Sequence, residues 1–303
     1  MLEHISTEIS QAVLQAVLYS DIFDFPLTVR EVHRYLPGIV ASYEDVCEVL
    51  SAEDRFVKTG DYVTLAGREY LVNVREERED RSKKLFPYAL KYGRIIGRLP
   101  FVRMVALTGS LAVRNVSGNI DLDYMLVTRP GRLWTARAFS LLFGRFTKIL
   151  GHTVCPNLIV SENYLEWHQR DLYTAREFSQ MIPISGREIY RKLMRANGWI
   201  KDFLPNAYRE PESLLLESRG QRAFALQKLL EFLLRGELGN RLEQWEMQRK
   251  ITRFSKQDRF GDETVFTADI CQGNFDHHRK WTEEQLELRN SKFNVDMQEI
   301  RQP

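Results

Sequence analysis

The stretch Val105–Thr128, VALTGSLAVRNVSGNIDLDYMLVT, decides how this chain is read. An apolar run (Val102–Leu107) leads into Gly109-Ser110, and a second apolar run further on carries Asp121 and Asp123. Both runs have the length and residue types of buried strands. Side chains alternate along a strand, so the two carboxylates point the same way with Cα atoms about 6.6 Å apart, while Leu122 and Tyr124 take the other face. Two acids at the rim of a buried strand repel each other unless a cation lies between them. Mg²⁺, a hard ion held by one or two carboxylates plus substrate phosphates, meets that need, and Mn²⁺ shares its preference for oxygen ligands.

Gly109 lets the backbone approach a ligand closely, and Ser110 is expected to cap a helical turn over Leu111–Arg114. Backbone N–H groups and a hydroxyl would then face a triphosphate. Arg114 could add a cation there, or be an ordinary surface arginine. The same residues would also suit a hairpin turn followed by a solvated strand end.

A hydrophobic strand, Gly-Ser, ten residues and then Asp-Leu-Asp in a second strand resembles the signature of the DNA-polymerase-β-type nucleotidyltransferase superfamily. The resemblance implies that Asp121 and Asp123 hold Mg²⁺ and that Gly109 and Ser110 grip the β- and γ-phosphates of an NTP. It covers about twenty residues directly and, by fold, residues 85–165. Many relatives read Ser-Asp-Ile-Asp where this chain has Asn119-Ile120-Asp121-Leu122-Asp123, so the register of the acids is kept and the polar residue before them is lost. In the superfamily a third strand supplies a third carboxylate. Here that strand is expected over Val154–Val160, and its best-placed polar residue is Asn157. An amide oxygen can ligate a metal but is a very poor proton acceptor. Glu162 could substitute for the missing acid, and Asn157 could instead bond a neighbouring loop.

The rest of the chain is read around this core. At 303 residues, 44% hydrophobic and net charge +2, it has room for more than one domain and carries no overall field toward nucleic acid or anionic membrane. No apolar run approaches the length of a membrane span, the N-terminus shows no signal pattern, and Cys47, Cys155 and Cys271 are too scattered for a disulfide framework. A cytoplasmic setting is expected.

Residues 1–66 read as three helices and a hairpin, a winged-helix-like module, with helices over Thr28–Leu36 and Ser42–Leu50 and strands at Phe56–Lys58 and Asp61–Leu65. Its third helix region, Ala41–Asp54, carries Glu44, Asp45, Glu48, Glu53 and Asp54 and no cation, so DNA binding is not expected. Residues 67–99 form a charged helical connector that Pro87 should break or kink. Residues 100–168 are read as the nucleotidyltransferase core, including a helix over Leu133–Leu150 packed on the sheet through Trp134, Ala138, Leu141, Leu142, Phe146 and Ile149. Residues 169–248 read as helical throughout. There Tyr173, Arg176 and Gln180 form a polar stripe that either faces the cleft or is a solvated face. The pattern over Leu214–Trp245 suits a helical core, and its length also permits a homo-oligomer contact. In the segment 249–303, Cys271, Asp276, His277 and His278 cluster, but at no spacing of a structural zinc site; its last helix is expected over Thr282–Lys292.

The stretches Tyr19–Thr28 and Asp202–Ala207 also resemble a poorly characterised bacterial and archaeal group of nucleotidyltransferase-domain proteins with a winged-helix-like N-terminus. The expectation is therefore an α/β (α+β) protein: a small mixed nucleotidyltransferase sheet between an N-terminal winged-helix-like module and a C-terminal helical domain. It would transfer a nucleoside monophosphate from an NTP to an unidentified small-molecule or protein acceptor. The alternatives are a non-catalytic nucleotide-binding or protein-interaction protein on the same fold, and a nucleotidyltransferase that modifies a partner protein.

Overall fold

The computed structural model describes residues 2–118, 121–208, 225–256, 263–273, 277–293 and 295. The chain is α+β, built on a six-stranded mixed sheet with helices on both faces.

The N-terminal module runs α1 (Leu2–Asp21), β1 (Leu27–Thr28), α2 (Val29–Arg34), α3 (Tyr43–Ala52), β2 (Phe56–Thr59) and β3 (Tyr62–Leu65). Its strands form a small sheet in the order β1-β3-β2. Local chemistry accounts for the helix starts. Thr28 and Ser42 each cap through a reciprocal box, with Glu31 and Asp45 reaching back to the cap N–H. Gly60, at φ +61°, turns the hairpin between Thr59 and Tyr62. Val13, Leu14, Val17 and Leu18 of α1 are buried against Val32, Val46 and Val63.

One helix, α4 (Leu71–Ile96), then crosses to the core, with Pro87 inside it. The expected break is absent; packing holds the helix together, since Ala89, Tyr92 and Ile96 beyond the proline are buried in the sheet core. Its first half ties the two bodies. Arg78 donates to the carbonyl of Phe23 (2.9 Å) and to Asn115 Oδ1 (2.9 Å).

The core follows as β4 (Val102–Leu107), a helical turn α5 (Gly109–Ala112), β5 (Asp121–Thr128), α6 (Leu133–Ile149) and β6 (Thr153–Ser161). β4 pairs antiparallel with β5, and β5 parallel with β6. The alternation expected from Asp121–Thr128 holds: Leu122, Tyr124 and Leu126 pack under α4 and α6, while Met125 and Val127 face the opposite layer. That layer consists of α7 (Leu172–Gln180), α8 (Arg187–Ala196) and α9 (Ile200–Phe203).

Several expectations need correcting. Residues 182–185, read as helical, form β7 (Ile182–Ser185), which adds antiparallel to β4. Its four residues are too few for a periodicity to declare itself. Beyond α10 (Ala225–Leu234) and α11 (Glu237–Phe254), the C-terminal segment supplies β8 (Thr264–Phe266) and β9 (Ile270–Gly273), and β9 pairs with β6. The sheet order is thus β7-β4-β5-β6-β9-β8, with strands from well outside residues 100–168. The final helix, α12 (His278–Phe293), returns to the N-terminal module, where Leu286 is buried and Arg289 Nε lies 3.1 Å from Asp21 Oδ2.

Leu142, Phe146 and Ile149 of α6 are exposed rather than packed on the sheet. Trp134 and Ala136 hold that contact from the other side of the helix, and α11 covers the helix start: Glu243 accepts the N–H groups of Trp134 (2.8 Å) and Thr135 (2.7 Å). In α10, Leu226, Leu229 and Leu233 are likewise exposed and not core; residues 209–224 lie outside the described residues. No described helix is long and apolar enough to cross a membrane.

Candidate functional site

The site forms where β4 ends beside the start of β5. Leu107 is registered with Tyr124, and the Thr108 N–H donates to the Asp123 carbonyl (3.0 Å). The next residue, Gly109, is left-handed (φ +65°) and lies against the Asp123 side chain, where a Cβ would meet Asp123 Oδ2 at 2.5 Å. Only glycine fits on both counts. Ser110 does not cap the turn. The helical turn begins two residues earlier than expected with Thr108 at its cap position, and Ser110 is exposed inside it, its carbonyl accepting the Asn115 N–H (2.8 Å). Thr108 Oγ1 is buried without a partner.

Asp121 is exposed and Asp123 half-buried on the same face. Burial, then the charge of Asp121, then that of Glu177 push the Asp123 carboxyl up to about 7. In register beside it stands Cys155, whose thiol bonds the Asp123 carboxylate and is itself pushed up to about 12, chiefly by burial. The thiol therefore stays protonated and donates.

Asn157 does not occupy that position. Between the pairs Asp123–Cys155 and Met125–Leu158 the sixth strand carries one residue more than the fifth, and this bulge takes Asn157 out of the alternation and leaves it exposed. Glu162 cannot substitute. It follows the far end of β6, seven residues past Cys155 and so about 23 Å along the strand, where it lies 3.9 Å from Arg103.

The polar stripe on α7 divides. Arg176 is buried under the N-terminal module, its guanidinium 3.9 Å from the Tyr35 ring centre and 4.6 Å from that of Tyr19, with one bond to Ser20 Oγ (2.8 Å). Tyr173 has its hydroxyl pushed far above the ordinary range, first by burial and then by Glu177. Gln180 lines a cleft between the module and the core, as does Arg114, which leaves α5 in a left-handed conformation (φ 59°) with an exposed side chain. The residue on α7 that senses Asp123 is Glu177, whose carboxyl burial raises to about 7. Sequence reasoning missed it, although it stands four residues after Tyr173 on the same helix face.

Among the described residues no three His, Cys, Asp or Glu side chains converge to hold a metal ion. Asp121 and Asp123 are two carboxylates on one face that could hold a hard divalent ion, whose remaining ligands would have to come from outside the chain. The Gly109 backbone lies against Asp123, and Thr108, whose hydroxyl is buried without a partner, precedes it. Cys271 is buried in β9 and His278 opens α12; Asp276 lies outside the described residues. Comparisons with protein-family models, with curated proteins and with solved structures found no match.

Proposed function

We propose that this chain is a Mg²⁺- or Mn²⁺-dependent nucleotidyltransferase that moves a nucleoside monophosphate from an NTP to a hydroxyl acceptor. One observation carries the reading: a Gly-Ser turn is pressed by its glycine against the second of two aspartates on the neighbouring strand. A turn with that contact leaves Ser110 exposed to a ligand lying over the acids.

In the reaction the acceptor oxygen bonds to the α-phosphorus, the bond to the bridging oxygen breaks, and pyrophosphate leaves. A divalent ion shared by Asp121, Asp123 and the phosphates would neutralise the charge that develops. Ser110 and the Gly109 backbone hold the β- and γ-phosphates. Cys155 keeps Asp123 oriented by donating to it. Of the acids around Asp123, Glu177 titrates near neutrality, the range suited to holding the acceptor's proton.

Cys155 also favours a second reading. A thiol stands where a third acid would strengthen metal binding, which suits a protein that binds nucleotide without turning it over. Incubation with each α-labelled NTP and Mg²⁺ or Mn²⁺ separates the readings. Label on a small molecule supports transfer to a metabolite, and label on protein supports modification of a partner. No label with any nucleotide would leave only the non-catalytic reading.

A further inference from the structure

A cleft of about 310 Å³ opens between the N-terminal module and the core, and none of Gly109, Ser110, Asp121 or Asp123 lines it. Glu31 and Arg34 come from α2 and Tyr35 follows it, Arg75 comes from α4, Arg114 from the residues after α5, and Ser179 from the end of α7. Its charges do not cancel. Arg75 is spent, donating to Glu31 (3.1 Å), Glu79 (2.7 Å) and the carbonyl of Pro26 (2.9 Å). One guanidinium thus serves both wall acids, and with Arg34 and Arg114 the lining carries three cations against two carboxylates, a net charge of +1.

Arg34 Nη2 donates to the Ser179 carbonyl (2.9 Å), but its Nε is buried without a partner, and so is Ser179 Oγ. The Arg114 side chain makes no hydrogen bond or ion pair with any described residue and is exposed at the cleft. Behind Tyr35, the buried Arg176 leaves Nε and Nη1 unpartnered. Buried donors on cations are costly to leave unmade, and a cluster of them is a place short of an anion.

We propose that this cleft binds a small phosphomonoester, gripped by Arg34 and Arg114, with the positive potential of Arg176 acting through Tyr35. A phosphomonoester carries nearly two charges and three acceptor oxygens at neutral pH, which matches a net positive wall with spare N–H groups on Arg34 and Arg114 and an unpartnered hydroxyl on Ser179. The volume leaves room for an organic body, at the lower end of the roughly 300–1,000 Å³ of small-molecule sites. The site is independent of the nucleotidyl-transfer reading, because it uses neither aspartate.

Calorimetry of the full chain in EDTA, with ribose 5-phosphate as probe and ribose as control, tests it. Ribose 5-phosphate should bind without metal and ribose should not. Arg34→Gln and Arg114→Gln should each weaken binding about tenfold, or about 1.4 kcal/mol, and added salt should weaken it further. Arg114 is exposed, so its variant reads the site without disturbing packing. Asp123→Asn should leave the affinity unchanged. No binding at millimolar ligand, equal binding of ribose, or indifference to both arginine variants would overturn the proposal. Loss of binding in Asp123→Asn would overturn it too, by assigning the phosphate to the acidic pair. A failure of nucleotide binding in the wild type would leave it standing.

Discussion

A Cβ built on Gly109 would lie 2.5 Å from Asp123 Oδ2 and 3.2 Å from the Cβ and Cγ of that residue. The turn and the second acid are therefore one unit. Gly109→Ala meets both a left-handed backbone, which costs a residue with a side chain about 1–2 kcal/mol, and the carboxylate itself. The variant should lose that much stability in a urea titration, and its metal-dependent nucleotide affinity should fall further than stability alone explains. Unchanged affinity in a folded Gly109→Ala protein would separate the turn from the site.

The register of β6 makes a paired prediction. Cys155 faces Asp123, and Asn157 sits in the bulge. Cys155→Asp puts a third carboxylate beside the pair, so Mg²⁺ or Mn²⁺ should bind more tightly and any transferase rate should rise. Asn157→Asp should change neither. The reverse ranking, measured by metal titration of both variants, would mean that the bulge lies elsewhere.

Asp123 and Glu177 both have folded-state carboxyls raised to about 7 from ordinary values of 3.8 and 4.5. Between about pH 4 and pH 7 the metal-free folded chain holds protons that the unfolded chain has already released. Folding stability should therefore fall as pH rises through that window and level off above it. Asp123→Asn with Glu177→Gln should flatten the fall. A wild-type denaturation midpoint that stays constant or climbs from pH 5 to 7 in EDTA, with no difference from the double variant, would contradict the buried acidic pair.

Much of this arrangement was legible in the chain. The two apolar runs around Gly109 and Asp123 became adjacent strands, and the helices expected from Thr28 and Ser42 and the hairpin turned at Gly60 are all present in the module. Hidden were the features set by partners far along the sequence. Pro87 is tolerated because the sheet holds α4 on both sides of it. The strands at 182–185 and 264–273 are too short to show a period, and they exist because β4 and β6 offer them open edges. A single inserted residue in β6 exchanged Asn157 for Cys155. Glu177 became part of the site only when α7 docked on the sheet face of Asp123.

The N-terminal module supplies a negative prediction. Its third helix carries Glu44 and Asp45 in its first turn and has no basic residue in its last turn. Duplex DNA would meet only repulsion there. The full chain at low-micromolar concentration should not retard duplex DNA in a gel at physiological salt. A shift that grows as salt is lowered would show that another surface of the module carries the contact.

The central claim is that Asp121 and Asp123 recruit a divalent ion with which an NTP is bound. Asp121→Asn with Asp123→Asn removes both charges with little change of shape, and it also relieves their mutual repulsion, so the fold should survive. Calorimetry of Mg·ATP binding to the wild type and this double variant tests the claim most directly. The account predicts that affinity falls steeply in the variant and no longer responds to Mg²⁺. A double variant that binds Mg·ATP as the wild type does would contradict it.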